Sequence, residues 1–103
     1  MFADIDPETL CIDPAAVEIA ITSRTKAILA VDVFGRPANW AALEAIADRH
    51  GVALIDDSAE ALGSEFGDRR CGSFGRAGIF GFYPNKQITT GAVSYTHLRA
   101  HET

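Results

Sequence analysis

The chain has 103 residues, 48% of them hydrophobic and 22% charged, with nine glycines and four prolines. That mixture suits a globular protein with room for one small domain or a piece of one, and it excludes collagen-like, low-complexity and disordered chains. Nine basic against fourteen acidic residues leave a net charge of −5, which offers no basic surface to a phosphate backbone or an anionic membrane, so neither nucleic acid nor a membrane is expected as a partner.

In chain order, Phe2 to Ile5 reads as a short extended piece closed by the turn residues Asp6-Pro7-Glu8. Asp13-Pro14 reads as a helix start, an Asx cap followed by proline at the first helical position. On the helix it opens, Val17, Ala20 and Ile21 share one face and Glu18 points away. Lys26 to Val33 (KAILAVDV) is an apolar run of strand length, the pattern of a strand buried on both faces, and Phe34-Gly35-Arg36-Pro37 breaks it. Asn39 then caps the clearest helix. Trp40, Leu43, Ile46 and Ala47 form its apolar stripe, Glu44, Asp48 and Arg49 lie opposite, and Gly51 stops it. Val52 to Ile55 is a second strand and runs into Asp56-Asp57. A glycine-rich loop covers Gly63 to Gly75, and Ala77 to Tyr83 (AGIFGFY) is a third strand ending at Pro84-Asn85-Lys86. This alternation predicts an α/β fold with a mostly parallel, mixed sheet sandwiched by helices.

The apolar runs are only a few residues long, far short of the ~20 that span a bilayer. No charged-then-apolar leader opens the chain, so a cytoplasmic protein is expected. Cys11 and Cys71 have no CxxC spacing and read as reduced, partly buried thiols; no metal site is expected. His97 and His101 stand four apart but lack a third ligand beyond Glu102. The glycines at 72, 75 and 78 recur every three residues and do not lead from a strand into a helix, so they do not read as a nucleotide-binding loop.

Ligands of open α/β sheets sit beyond the carboxyl ends of the strands. Two groups of opposite sign occupy such ends, Asp57 after the second strand and Lys86 after the third, and Lys86 is one of only two lysines in the chain. A lysine held past a buried aromatic strand can be desolvated, which frees its amine as a nucleophile or Schiff-base former. An aspartate facing a protonated ring nitrogen is the complementary half of pyridoxal phosphate chemistry. From spacing alone, a surface lysine and a loop-capping aspartate remain the simpler reading.

The strings themselves go further. Phe2–Pro7 (FADIDP), Arg24–Ile28 (RTKAI), Val31–Pro37 (VDVFGRP), Leu54–Gly63 (LIDDSAEALG) and Phe82–Gly91 (FYPNKQITTG) resemble, in order and spacing, the middle of the large domain of the DegT/StrS family of sugar-nucleotide aminotransferases. That resemblance implies the aspartate-aminotransferase fold, pyridoxal 5′-phosphate as cofactor, and transfer of an amino group from an amino acid, glutamate in the first instance, to a keto-sugar nucleotide. It implies a homodimeric parent engaged in amino-sugar or polysaccharide biosynthesis. Residue by residue, Lys86 matches the Schiff-base lysine that also moves the proton, as base and then acid. Asp57 matches the aspartate that pairs with the pyridinium nitrogen. Glu60 matches a position near the cofactor's phenolic oxygen usually held by glutamine or histidine, where a carboxylate would repel a phenolate; the other reading of Glu60 is a solvated turn residue.

Several departures accompany the match. Gly81 stands five residues before the lysine, where many members carry a phosphate-binding serine, and Ala92-Val93-Ser94 follows Gly91 where the family continues Glu-Gly-Gly. Residues 92–103 resemble the translated read-through of a sequencing adapter, so residues 1–91 read as a partial cofactor-binding large domain and 92–103 as a foreign tail. The family's phosphate-cradling turn would lie upstream of Met1, and the small domain downstream. The alternatives are therefore a truncated, catalytically inactive fragment, and a relative among the sugar dehydratases that use the aldehyde or amine form of the cofactor. The dehydratases carry histidine in place of the lysine, so Lys86 favours transamination.

Overall fold

In the computed structural model, the described residues are 1–82 and 94–98. They form a four-stranded sheet of β1 (Ala27–Val31), β2 (Ala53–Asp57), β5 (Ala77–Gly81) and β6 (Ser94–Leu98) in the order β1-β2-β5-β6. The first three strands run parallel and β6 is antiparallel to β5. Two helices, α1 (Pro14–Ala20) and α2 (Trp40–His50), contribute to one core with the sheet, and a small hairpin of β3 (Glu65–Phe66) and β4 (Arg69–Arg70) closes over α2. This is the mixed α/β architecture that the alternation of segments predicts.

Local chemistry places the helices as read. Asp13 accepts from the Ala15 amide at 3.0 Å with proline opening α1, and Asn39 accepts from the Ala42 amide at 3.2 Å to open α2. Gly51 closes α2 at φ 65°, its N–H on the carbonyls of Ala47 and Asp48. The α2 stripe of Trp40, Leu43, Ile46 and Ala47 is buried against Ile28 and Ala30 of β1, Leu54 of β2, Val17 of α1 and Phe74. Each large side chain in that layer contributes about 2 kcal/mol by leaving water.

Two local features go beyond the sequence reading. Glu18 stands off the apolar face as read, yet it is paired: its carboxylate meets Arg49 and, at 3.0 Å, His50 Nε2, tying α1 to the last turn of α2. The glycine-rich stretch is not loop throughout, because β3 and β4 pair Glu65 with Arg70 and Phe66 with Arg69 around Gly67. Strands of two residues are too short for a period of two to show. Side-chain contacts seat this hairpin: Arg69 lies over the Phe74 ring at 4.4 Å and meets Glu44 of α2 at 2.9 Å. Phe74 in turn stacks on Trp40 with centroids 5.1 Å apart.

The strands alternate cleanly. In β1, Ile28 and Ala30 face the helices and Leu29 and Val31 are exposed; in β2, Leu54 and Asp56 are buried while Ile55 and Asp57 turn to the other face. The β1–β2–β5 strip is therefore covered on one face by helices, whereas the sequence reading buries the first of these strands on both. At Gly78, opposite Asp56 in the register, a Cβ would stand 2.1 Å from the Gly72 carbonyl oxygen, so only glycine lets the loop and β5 approach this closely. The edge strand β6 occupies part of the segment read as a foreign tail; Tyr95 to Leu98 are exposed.

Candidate functional site

The carboxyl ends of β1, β2 and β5 share one edge of the sheet, with β2 in the middle. Asp57 is the last residue of β2. The pleat turns its side chain to the face away from the helices, between Val31 of β1 and Ile79 of β5 in the register. The carboxylate is half-buried; its Oδ1 accepts from the Ala59 amide at 3.1 Å, and among the described residues its Oδ2 has no hydrogen-bond partner. An acceptor with a vacant oxygen between two apolar neighbours suits an N–H donor on a flat ligand, since low local polarity strengthens such a bond.

Glu60 follows on the turn after β2 and is half-buried. Its Oε2 accepts from the Phe34 amide at 3.1 Å, so it braces the turn after β1. That turn is unusual, because Phe34 has φ 53° and an 80% exposed ring at the same edge. Ser64 adds a second tie, donating to the Gly35 carbonyl at 2.8 Å. Gly81 closes β5, opposite Ser94 in the register, with no hydroxyl to offer. The structure thus brings Asp57 and Glu60 to one strand end; Lys86 lies outside the described residues.

Directly behind Asp57, on the helix face, sits a polar cluster that sequence reasoning did not single out. Asp32, Asp56 and Ser58 are fully buried. Asp32 Oδ1 accepts from the Ala38 amide at 2.8 Å and from Trp40 Nε1 at 2.9 Å; Asp56 Oδ2 accepts from the amides of Gly72 at 2.5 Å and Phe74 at 3.3 Å. Ser58 Oγ joins the two carboxyl groups, 2.7 Å from Asp32 and 2.6 Å from Asp56. Burial pushes the Asp56 carboxyl up to about 7, with the hydrogen bond and charge of Asp32 adding to it against the pull of Ser58 and Gly72. Burial, then the two carboxylates, also hold the Cys71 thiol well above its ordinary range, so this cysteine is a poor nucleophile. The available signal was the period of two, which puts 28, 30 and 32 on one face and 54, 56 and 58 on the face beside it.

Comparison with known proteins agrees with this architecture. A protein from Streptomyces kanamyceticus described as L-glutamine:2-deoxy-scyllo-inosose aminotransferase is 50% identical over 91 residues, covering 88% of this chain and 21% of the relative. Among solved structures, DesI in the presence of its TDP-sugar product matches with a TM-score of 0.82 at 43% identity, covering 86% of this chain and 23% of that one. The E. coli GDP-4-keto-6-deoxy-D-mannose-3-dehydratase with bound hydrated PLP matches with a TM-score of 0.82 at 35% identity, covering 88% and 23%. The chain therefore spans about a fifth of the length of the proteins it resembles. Residues 1–93 match the DegT/DnrJ/EryC1/StrS aminotransferase family, and the chain belongs to it.

Proposed function

We propose that this chain carries the cofactor-anchoring part of a pyridoxal-phosphate-dependent aminotransferase, with Asp57 and Lys86 as its two anchors and a keto-sugar nucleotide as the amino acceptor. The observation that supports it best is the Asp57 carboxylate, at the end of the central parallel strand with Oδ2 unengaged among the described residues. That arrangement fits the group: a carboxylate accepts from a ring N–H and holds it protonated, and the apolar flanks of Val31 and Ile79 favour the charge-assisted bond. When bound, pyridoxal phosphate supplies an electron sink for the negative charge left on a substrate carbon. The Lys86 amine would anchor the aldehyde and carry a proton to and from that substrate carbon. Glu60, engaged with the Phe34 amide, would hold the edge of the site in shape. Without a hydroxyl at Gly81, the phosphate would draw on backbone amides or donors from elsewhere in the parent protein.

The amino donor in this reading is glutamate, and the relative from S. kanamyceticus adds L-glutamine as a candidate through its name. The same name favours a second acceptor reading, a cyclic ketone without a nucleotide. Lysine at 86 supports transamination over the dehydration named for the E. coli neighbour. The test is borohydride reduction of the chain with pyridoxal 5′-phosphate, followed by peptide mass spectrometry. The label should sit on Lys86 and vanish in Lys86→Ala. Asp57→Asn should weaken cofactor affinity about 10- to 100-fold, the value of a hydrogen bond to a charged group. Labelling of Lys26 as readily as Lys86, or an affinity indifferent to Asp57→Asn, refutes the proposal.

A further inference from the structure

The buried cluster behind Asp57 contains one hydrogen too few for its contacts. Ser58 Oγ stands 2.7 Å from Asp32 Oδ2 and 2.6 Å from Asp56 Oδ1, both hydrogen-bond distances. A hydroxyl has a single hydrogen and donates to only one of them. The other contact closes only if a carboxyl group brings a hydrogen of its own. The outer oxygens cannot relieve the shortage, since each is already occupied by N–H donors: Asp32 Oδ1 by Ala38 and Trp40, Asp56 Oδ2 by Gly72 and Phe74. Among the described residues neither carboxyl group has a lysine or arginine as partner, and two bare carboxylates buried this closely would be uncompensated.

We infer that Asp32 and Asp56 share one proton through Ser58, and that this buried pair is the positioning unit for the Asp57 carboxylate. The second half rests on the cofactor reading above. The proton sits on Asp56 Oδ1 and points to Ser58 Oγ, whose hydroxyl donates to Asp32 Oδ2. The upward displacement of the Asp56 carboxyl to about 7 agrees with that order. The pair's own main chain holds Asp57. Asp57 lies between Asp56 and Ser58 in sequence, its carbonyl accepts from the Asp32 amide at 3.0 Å, and the Ser58 amide donates to the Ile79 carbonyl at 2.9 Å. Ionising the pair would set up repulsion between Asp56, which precedes Asp57, and Asp32, whose amide ties its carbonyl, and would cost Ser58, which follows it, one of its two hydrogen bonds.

Other titratable groups near the cluster do not replace this proton. Cys71 faces both carboxyl groups, with Cys11 alongside it, and the Cys71 thiol is held in its neutral form by burial and by those carboxylates. From α2, Glu44 is turned to Arg69, and Arg69 lies over the Phe74 ring.

The experiment is urea unfolding of the whole chain between pH 5 and pH 8.5, followed by Trp40 fluorescence, on the wild type, Asp56→Asn, Asp32→Asn and the double variant. An amide at 56 keeps every contact, donating to Ser58 and accepting from Gly72 and Phe74. The folded wild type binds a proton that the unfolded chain releases near 3.8 and the folded chain near 7. Its stability therefore falls as pH rises through that window and levels off above it. Asp56→Asn should remove that fall, so that above pH 7 its folding constant exceeds the wild type's by about 10³-fold. Should Asp56→Asn fail to fold, Asp32→Asn reads the same proton, since an amide at 32 lets Ser58 donate to an ionised Asp56 and flattens the curve as well. The double variant leaves Ser58 with two donors and no acceptor, and should lose at least about tenfold beyond the product of the singles.

For the positioning half, the affinity for pyridoxal 5′-phosphate is measured over the same pH range. It should weaken as pH passes about 7 in the wild type and hold in Asp56→Asn. Parallel stability curves for wild type and Asp56→Asn, or additive losses in the double variant, overturn the shared proton. Altered stability without a matching change in affinity overturns the positioning role alone. Binding that is absent, or indifferent to Asp57→Asn, sinks the cofactor reading and the positioning role while leaving the shared proton standing.

Discussion

Trp40 joins the hydrophobic core to the buried acidic cluster, and replacing it by phenylalanine separates the two contributions. The indole is fully buried, its Nε1 donates to Asp32 Oδ1 at 2.9 Å, and its ring stacks on Phe74 with an interplanar angle of 3°. Trp40→Phe keeps most of the stacking face but deletes the N–H and part of the ring volume. A hydrogen bond to a buried carboxyl group contributes about 1.5–3 kcal/mol, and the residual void adds about 1 kcal/mol. The expected loss is about 2.5–4 kcal/mol. Against the roughly 5–15 kcal/mol that holds a domain folded, that is a large share.

Because Trp40 is the single tryptophan, the assay is urea unfolding read by far-ultraviolet circular dichroism, with the slope m expected to stay constant. Phe74→Leu is the control, since it removes the stacking partner and leaves the indole N–H in place; it should cost less, about 1–2 kcal/mol. A loss below about 1 kcal/mol in Trp40→Phe, or a larger loss in Phe74→Leu, would mean that ring contact outweighs the bond to Asp32, and the reasoning fails.

Three further outcomes follow from the same contacts. Asn39→Ala removes the acceptor for the Ala42 amide and should lower stability by about 1 kcal/mol, read as a shift in the urea midpoint. Two glycine-to-alanine changes should separate strain from collision. At Gly51, φ is 65° and nothing lies within 4 Å of a Cβ, so the cost is about 1 kcal/mol; at Gly78 a Cβ would stand 2.1 Å from the Gly72 carbonyl, so about 3 kcal/mol or more is expected in thermal unfolding. Glu18, held below its ordinary 4.5 by Arg49 and then His50, stabilises the folded chain above that pH and loses the contribution as pH falls through its lowered value. Glu18→Gln should flatten the acid limb of the stability curve and reduce its salt dependence.

Where local chemistry and periodicity pointed the same way, the structure was legible in the residues. The Asp13-Pro14 and Asn39 caps, the Trp40 stripe, Gly51 and the three apolar runs all place their elements within a few positions. What stayed hidden depended on contacts distant in the chain. The pairing of Glu18 was hidden because its partners lie 31 and 32 residues away. The β3–β4 hairpin has no apolar period; Arg69 over Phe74 and against Glu44 seats it. The bond from the Phe34 amide to Glu60 was not legible because the two residues stand 26 apart in the chain.

Asp56 and Asp57 show the same limit inside the candidate site. As neighbours in a string they are interchangeable acids at a strand end, and only the family motif picked out Asp57. The pleat separates them, because a strand sends successive side chains to opposite faces. Asp57 goes to the face the helices leave uncovered, where Oδ2 has no partner among the described residues; Asp56 goes inward, where every oxygen is occupied. A one-residue register shift would exchange the two roles, placing the bonded acid outside and the vacant one in the core. Gly78 opposes that shift: it stands opposite Asp56 in the register, its own Cα position pressed against the Gly72 carbonyl, while the Gly72 amide is bonded to Asp56. The close approach of Gly72 to Gly78 therefore helps fix which of two adjacent aspartates turns to the uncovered face of the sheet.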